Sequence, residues 1–238
     1  RIVAQQNETI ITVAFPFRRP NVEGFDQLAE FISSIYRTVR RRIETVLEVG
    51  IDVEAEKEKG EVSLRAVFRK QPISLRNISL LLKGRTSYYE LLVPDEILTC
   101  RDSDTIREFL RGYADTAGNI RRSNRDQSGR HRVYLDVLNP NWNLPVQLCY
   151  LLQDKLKVPV QTITWGHPNI RDPRAEGGSE AWSREHQIKI YAEDFMKIGF
   201  YISHKNRVLK ILSDENKLRF PDRASNFCDP SKGGKRYR

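Results

Sequence analysis

Residues 102–118 read DSDTIREFLRGYADTAG, from Asp102 to Gly118, and the fold turns on how this stretch is read. N-cap residues crowd its start, and Thr105 with Glu108 three positions on has the spacing of a capping box, so a helix is predicted to begin here. Ile106, Phe109, Leu110, Tyr113, Ala114 and Ala117 then recur at i, i+3, i+4, i+7, i+8 and i+11, the stripe of a helix that buries one face. Gly112 inside such a helix costs about 1 kcal/mol against alanine, and its use there is to let another helix approach closely. Gly118 is read as the C′ residue that stops the helix.

On the N-terminal side, Glu8 to Phe17 is rich in β-branched and aromatic residues and reads as a strand. From Gly24 onward Phe25, Leu28, Phe31, Ile32, Ile35, Val39 and Ile43 hold a helical stripe. Arg37, Arg40, Arg41 and Arg42 crowd its last turns, where they either suit the helix dipole or meet phosphate. Val46 to Ala55 and Glu61 to Arg69 alternate as strands, joined by a hairpin at Lys57 to Gly60, and Ile73 to Lys83 reads as a short helix closed by Gly84.

On the C-terminal side, Asn119 to Arg132 carries five arginines against Asp126 and reads as a strand and a mobile hairpin leading into Val133 to Leu138. Asn139 to Asn141 offers caps for a helix striped by Leu144, Leu148, Leu151, Leu152 and Leu156. Val158 to Trp165 is a strand, 166–181 a long loop, Gln187 to Tyr191 the returning strand, Ala192 to Ile198 a short helix stopped by Gly199, and Asn206 to Leu212 another helix. Residues 8–83 and 131–198 therefore share one order, strand, helix, strand, strand, helix, which points to two copies of one unit. Residues 213–238 are expected to form a basic flexible tail.

The chain has 238 residues, with 40 Lys and Arg against 31 Asp and Glu, a formal net charge of +9. That balance suggests an acidic partner, nucleic acid before an anionic membrane surface. No apolar run approaches the ~20 residues of a membrane span and no signal-peptide pattern opens the sequence, so an intracellular protein is expected, in cytoplasm, nucleoid or organelle. Cys100, Cys149 and Cys228 are odd in number and widely spaced, and none stands at a zinc-ligand interval from a histidine, which argues against structural zinc and against a disulfide framework. No P-loop, dinucleotide fingerprint, G-x-S-x-G or metalloprotease pair is present.

Phe109 to Gly118 (FLRGYADTAG) resembles the motif of the LAGLIDADG homing endonucleases. Val93 to Leu98 (VPDEIL) resembles the approach to that motif, and Ile198 to Leu209 (IGFYISHKNRVL) is similar to the ending of the family's unit. The resemblance implies an α+β fold of two LAGLIDADG-type αββαββα units about a pseudo-twofold axis, with antiparallel sheets forming a concave basic saddle. Residues 1–95 would be a degenerate first repeat without a visible motif helix or first strand, and 96–212 the second repeat. In that family the eighth motif position carries a metal-binding acid; here it is Ala117, and Asp115 at the sixth position is the surviving carboxylate. Asp115 is thus the candidate catalytic and metal-binding residue, with Mg2+ as the cofactor if the chain is active. At about 100° per residue it points roughly 200° around the helix from Ala117, and its alternative role is a local cap or salt bridge.

A basic face of antiparallel ribbons fits the DNA major groove through arginines at alternate positions. The candidate contacts are Arg65, Arg69, Arg121, Arg122, Arg125, Arg130, Arg132 and Lys189. The sequence is therefore read as a double-stranded DNA-binding relative of homing endonucleases with cleavage lost or impaired. The alternatives are an active magnesium-dependent homing endonuclease, its missing acid supplied from before Arg1 or by a dimer partner, and an RNA-splicing cofactor that binds a structured intron. A monomer follows from internal pseudo-symmetry, with a dimer as the alternative.

Overall fold

The structure is a computed structural model that describes residues 1–5, 7–56, 60–123, 129–138, 140–168 and 184–221. Its first sheet is antiparallel. Strand β1 (Ile2–Ala4) pairs with β2 (Thr9–Pro16), and β3 (Ile51–Glu56) pairs with β4 (Glu61–Phe68), which also pairs with β2, giving the order β1-β2-β4-β3. In β4, Val62, Leu64, Ala66 and Phe68 are buried while the residues between them are half-buried, the period of a sheet with one face on a core.

Helix α1 (Leu28–Ser34) passes through a π-turn (Ile35–Arg40) into α2 (Arg41–Leu47), which ends at Glu48 with φ 54°. Phe31, Ile35, Val39 and Leu47 from this run pack with Phe15, Leu64 and Leu75 into one core, Leu75 coming from α3 (Ile73–Leu82).

The second sheet follows a longer lead-in through α4 (Asp95–Leu98) and α5 (Ser103–Ala117). It contains β5 (Gly118–Arg121), β6 (Arg132–Leu138), β7 (Thr162–Pro168) and β8 (Arg184–Tyr191) in the order β5-β6-β8-β7, the same as the first sheet. Helix α6 (Asn143–Cys149) sits between β6 and β7 and again runs into a π-turn (Tyr150–Lys155). Helices α7 (Ala192–Phe195) and α8 (Ser203–Arg219) are the last helices among the described residues. The repeated order of elements read from the sequence is present, and so is a repeated irregularity in the first long helix of each half.

The two cores exchange residues. Val22, from the loop before α1, is buried in the core of the second sheet, and Ile202, just before α8, is buried in the core of the first. Ser34 Oγ accepts from His204 N at 2.9 Å and lies 2.8 Å from Ser203 Oγ, so α1 and the start of α8 are also joined by polar contacts.

Several boundaries differ from the expected ones. The first half does have its first strand, β1, too short and unpatterned to stand out in sequence. The alternation that seemed to start at Val46 begins inside a helix: Leu47 is its last buried residue, and the strand starts at Ile51. Strand β7 starts at Thr162 and runs on through Gly166, and β8 begins at Arg184. Helix α8 continues past Leu212 to Arg219, because Asn216 is buried and its side chain accepts from His131 N at 2.8 Å and donates to His131 O at 2.9 Å. Residues 213–219 therefore belong to the fold, while 222–238 lie outside the described residues.

Helix α5 starts one turn earlier than the Thr105–Glu108 pair suggested. Asp102 is the N-cap and accepts from Asp104 N at 3.2 Å and Thr105 N at 3.0 Å. At the other end Gly118 is extended, with φ −86°, and begins β5 rather than a left-handed cap. It must be glycine for space, since a Cβ there would lie 2.3 Å from Ala114 O. Gly112 is exposed, and a Cβ on it would meet nothing within 4 Å, so among the described residues no helix packs on it. Gly118→Ala is expected to destabilise the protein by about 1–3 kcal/mol. Gly112→Ala is expected to be neutral or to stabilise by up to about 1 kcal/mol through helix propensity. Urea midpoints of the two variants against the parent check both.

Candidate nucleic-acid interface

The strand registers sort the expected DNA contacts. On the outer face of the second sheet, the side away from its apolar core, Arg121, Arg132 and Tyr191 form one cross-strand row, and Asn119, Tyr134, Lys189 and Thr162 form the next, with Asn119, Arg132 and Tyr134 themselves buried. A third row contains Asp136, Gln187 and Thr164. Cations and aromatic rings alternate across the first two rows. Arg121 Cζ lies 4.8 Å and Lys189 Nζ 5.7 Å from the Tyr134 centroid, and Arg132 Cζ lies 5.5 Å from that of Tyr191.

Arg132 is 4% exposed, and its Nε and Nη2 have no hydrogen-bond partner. Asn119 Oδ1 on the same face is likewise unmatched. Buried donors and acceptors of this kind are ordinarily satisfied, so Arg132 and Asn119 give this face unmet hydrogen-bonding capacity.

The third row carries a carboxylate, Asp136, and faces the first half of the chain. Arg18 Nη1 lies 2.8 Å from Asp136 Oδ2, an ion pair without hydrogen-bond alignment. The Asp136 carbonyl falls beyond the end of β5 and has no strand partner. Tyr88 and Tyr113 donate their hydroxyls to it at 2.8 and 2.9 Å. Burial pushes the Asp136 carboxyl up to about 7, against the pull of Arg18.

Other expected contacts are placed elsewhere. Arg122 pairs with Glu215 of α8, and Arg130 pairs with Glu193 of α7 while stacking on Tyr191 and Phe220. Arg65 lies on the outer face of the first sheet opposite Asp52, in a field set by Glu54, Glu56 and Glu61, and Arg69 is exposed just past β4. That face is acidic, so the first sheet does not supply the basic surface expected of both. The cause is β3, whose outward positions are all carboxylates. Arg125 lies outside the described residues. Tyr134 and Tyr191, central to the face, were not singled out in the sequence, although their alternation with the apolar Val133, Leu135 and Ile190 marks them as outward.

Asp115 sits at the junction of α5 and α8. It is 2% exposed, and its two oxygens accept from Tyr201 N at 3.1 Å and Ile202 N at 3.2 Å. Lys205, also buried, returns the contact: its Nζ donates to Asp115 O and Gly118 O, both at 2.7 Å. Burial pushes the Asp115 carboxyl up to about 7, opposed by Lys205, and brings the Lys205 ammonium down to about 8, opposed by Asp115. The carboxylate and the helix-end carbonyls that could serve a magnesium ion are thus already engaged, the latter by a cation. These residues do not fit a metal at the end of α5, and Ala117 adds no ligand. Among the described residues no three His, Cys, Asp or Glu side chains converge as a metal site, and no helix is long and apolar enough to cross a membrane.

No protein-family model matches the chain, and no curated protein matches it.

Asp115 and Asp136 both have folded pKa values raised above the ordinary carboxylate value, so between about pH 4 and 7 the folded state holds protons that the unfolded state has lost. Stability should therefore fall as pH rises through that window, by up to about 1.4 kcal/mol per pH unit for each group. Asp136→Asn is expected to flatten the profile, read as urea midpoints from pH 4.5 to 7.5. Lys205→Met leaves Asp115 buried without its cation and uncaps two carbonyls, and is expected to cost about 3–5 kcal/mol by the same measurement.

Proposed function

We propose that this chain is a sequence-specific double-stranded DNA-binding protein related to the LAGLIDADG homing endonucleases, with its cleavage lost or impaired. Its two halves are then two units of that kind about a pseudo-twofold axis. The observation that carries the reading is the outer face of the second sheet, where Arg121, Arg132 and Lys189 surround Tyr134 and Tyr191 and the buried Arg132 guanidinium keeps two nitrogens unmatched. A phosphate or base edge would supply the acceptors that Arg132 lacks. Cleavage is set aside because Ala117 replaces the motif acid and Lys205 holds the carbonyls at the end of α5.

The test is selection from a duplex library followed by titration of the selected site between 50 and 200 mM salt. Arg121→Gln with Lys189→Gln should weaken binding and lower the log–log salt slope by about two. Arg65→Gln with Arg69→Gln should leave the slope unchanged. No selected site, or an unchanged slope in the first variant, overturns the reading of this face. Magnesium-dependent double-strand breaks by the parent chain overturn the loss of cleavage.

A further inference from the structure

A cleft of about 540 Å³ opens on the helical side of the molecule, between the α1–α2 run, α5 and the segment from Met196 to Asn206. No strand residue lines it, so it is separate from the sheet face described above. Arg37, Thr38, Arg42, Arg111, Tyr201 and Asn206 form its polar part, with Asn206 Oδ1 already accepting from Phe200 N at 3.2 Å.

Two of the arginines, Arg42 and Arg111, are held in place by their surroundings. Arg42 Cζ lies 4.2 Å and Arg111 Cζ 5.1 Å from the centroid of the Tyr201 ring. Arg111 is further fixed by donating Nε to Ile198 O at 2.8 Å and Nη1 to Glu108 at 2.6 Å, which leaves its Nη2 for the cleft. Among the described residues no carboxylate pairs with Arg37 or Arg42. The nearest buried acid, Asp115, is directed at the backbone of Tyr201 and Ile202.

The π-turn brings Arg37 and Arg42 to the same cleft. Five residues along an α-helix would set them about 140° apart, whereas the extra residue of the π-turn, which holds Arg37 and ends just before α2, brings Arg42 round toward the same side. Two unpaired guanidinium groups, a third with a donor to spare, and an aromatic ring that orients two of them suit a planar or tetrahedral oxyanion with several acceptors.

We propose that this cleft binds a phosphate group, either from a free nucleotide or from the backbone of a nucleic-acid strand. The guanidinium of Arg42, packed on Tyr201, and that of Arg37 donate to its oxygens, with Arg111 Nη2 completing the set. The proposal does not depend on DNA binding at the sheet face.

The experiment is calorimetric titration of the full chain with pyrophosphate, with ATP and with a 20-base-pair duplex, repeated on Arg37→Gln with Arg42→Gln. A thermal melt first establishes that the variant folds as the parent does, and Arg42→Lys alone provides a charge-preserving second variant. Loss of two charge-assisted contacts should weaken the ligand by at least about tenfold, with Arg42→Lys between parent and double variant. Pyrophosphate and ATP binding that is lost in the double variant places a free phosphate compound in the cleft. Duplex affinity that drops while neither small ligand binds places a strand phosphate there. If the folded double variant binds pyrophosphate, ATP and duplex as the parent does, or the parent binds none of them, the proposal is overturned. Arg121→Gln with Lys189→Gln should leave pyrophosphate binding unchanged, so failure of the sheet-face reading and failure of this one give different results.

Discussion

Lys205 and Asp115 close each other's helix ends. The last carbonyls of α5 have no intrahelical partners, and the amide groups leading into α8 are in the same position. The Lys205 ammonium, carried on α8, satisfies the first set, and the Asp115 carboxylate, carried on α5, satisfies the second. Each charge is placed where the helix dipole favours it, and each is buried only because the other is there. The placement of β5 follows, since it begins at the residue whose carbonyl Lys205 holds. So does the placement of Tyr201, and with it the edge of the arginine cleft.

From that junction the two halves are bound together by exchange rather than by simple contact. Ile202 and His204 lie one and three residues beyond Tyr201, and they enter the first core and its aromatic rim. Val22 and Phe25 go the other way. The halves share one order of strands but not one surface chemistry: the outward positions of β3 are acidic, while those of β5, β6 and β8 include Arg121, Arg132 and Lys189 beside Tyr134 and Tyr191. A backbone that repeats thus carries two faces of different charge.

Much of the element order was legible because hydrophobic period carries it: the buried stripes of α5 and of β4 could be read residue by residue. What could not be read was set by contacts distant in sequence. Helix α8 outlasts its apolar stripe because Asn216 bonds to the backbone of His131, 85 residues away. Gly118 looked like a helix stop, and its actual constraint, the carbonyl of Ala114, appears only once β5 turns straight off the helix. Asp115 was recognisable as the surviving carboxylate of the stretch, but its partner Lys205 carries no local signal. The basic residues were visible as a set, yet only register separates Arg121, Arg132 and Lys189 from Arg122 and Arg130, which are tied to α8 and α7.

The π-turn at Ile35–Arg40 carries one residue more than an α-helical turn, so the helix on either side of it keeps its phase. Removing one residue there would restore ordinary α-helical closure and leave Leu47 facing the first core and Arg42 against Tyr201. A deletion in the regular turns of α1 or α2 would instead rotate everything beyond it by about 100°. The matching π-turn at Tyr150–Lys155 gives the second half one place of the same kind.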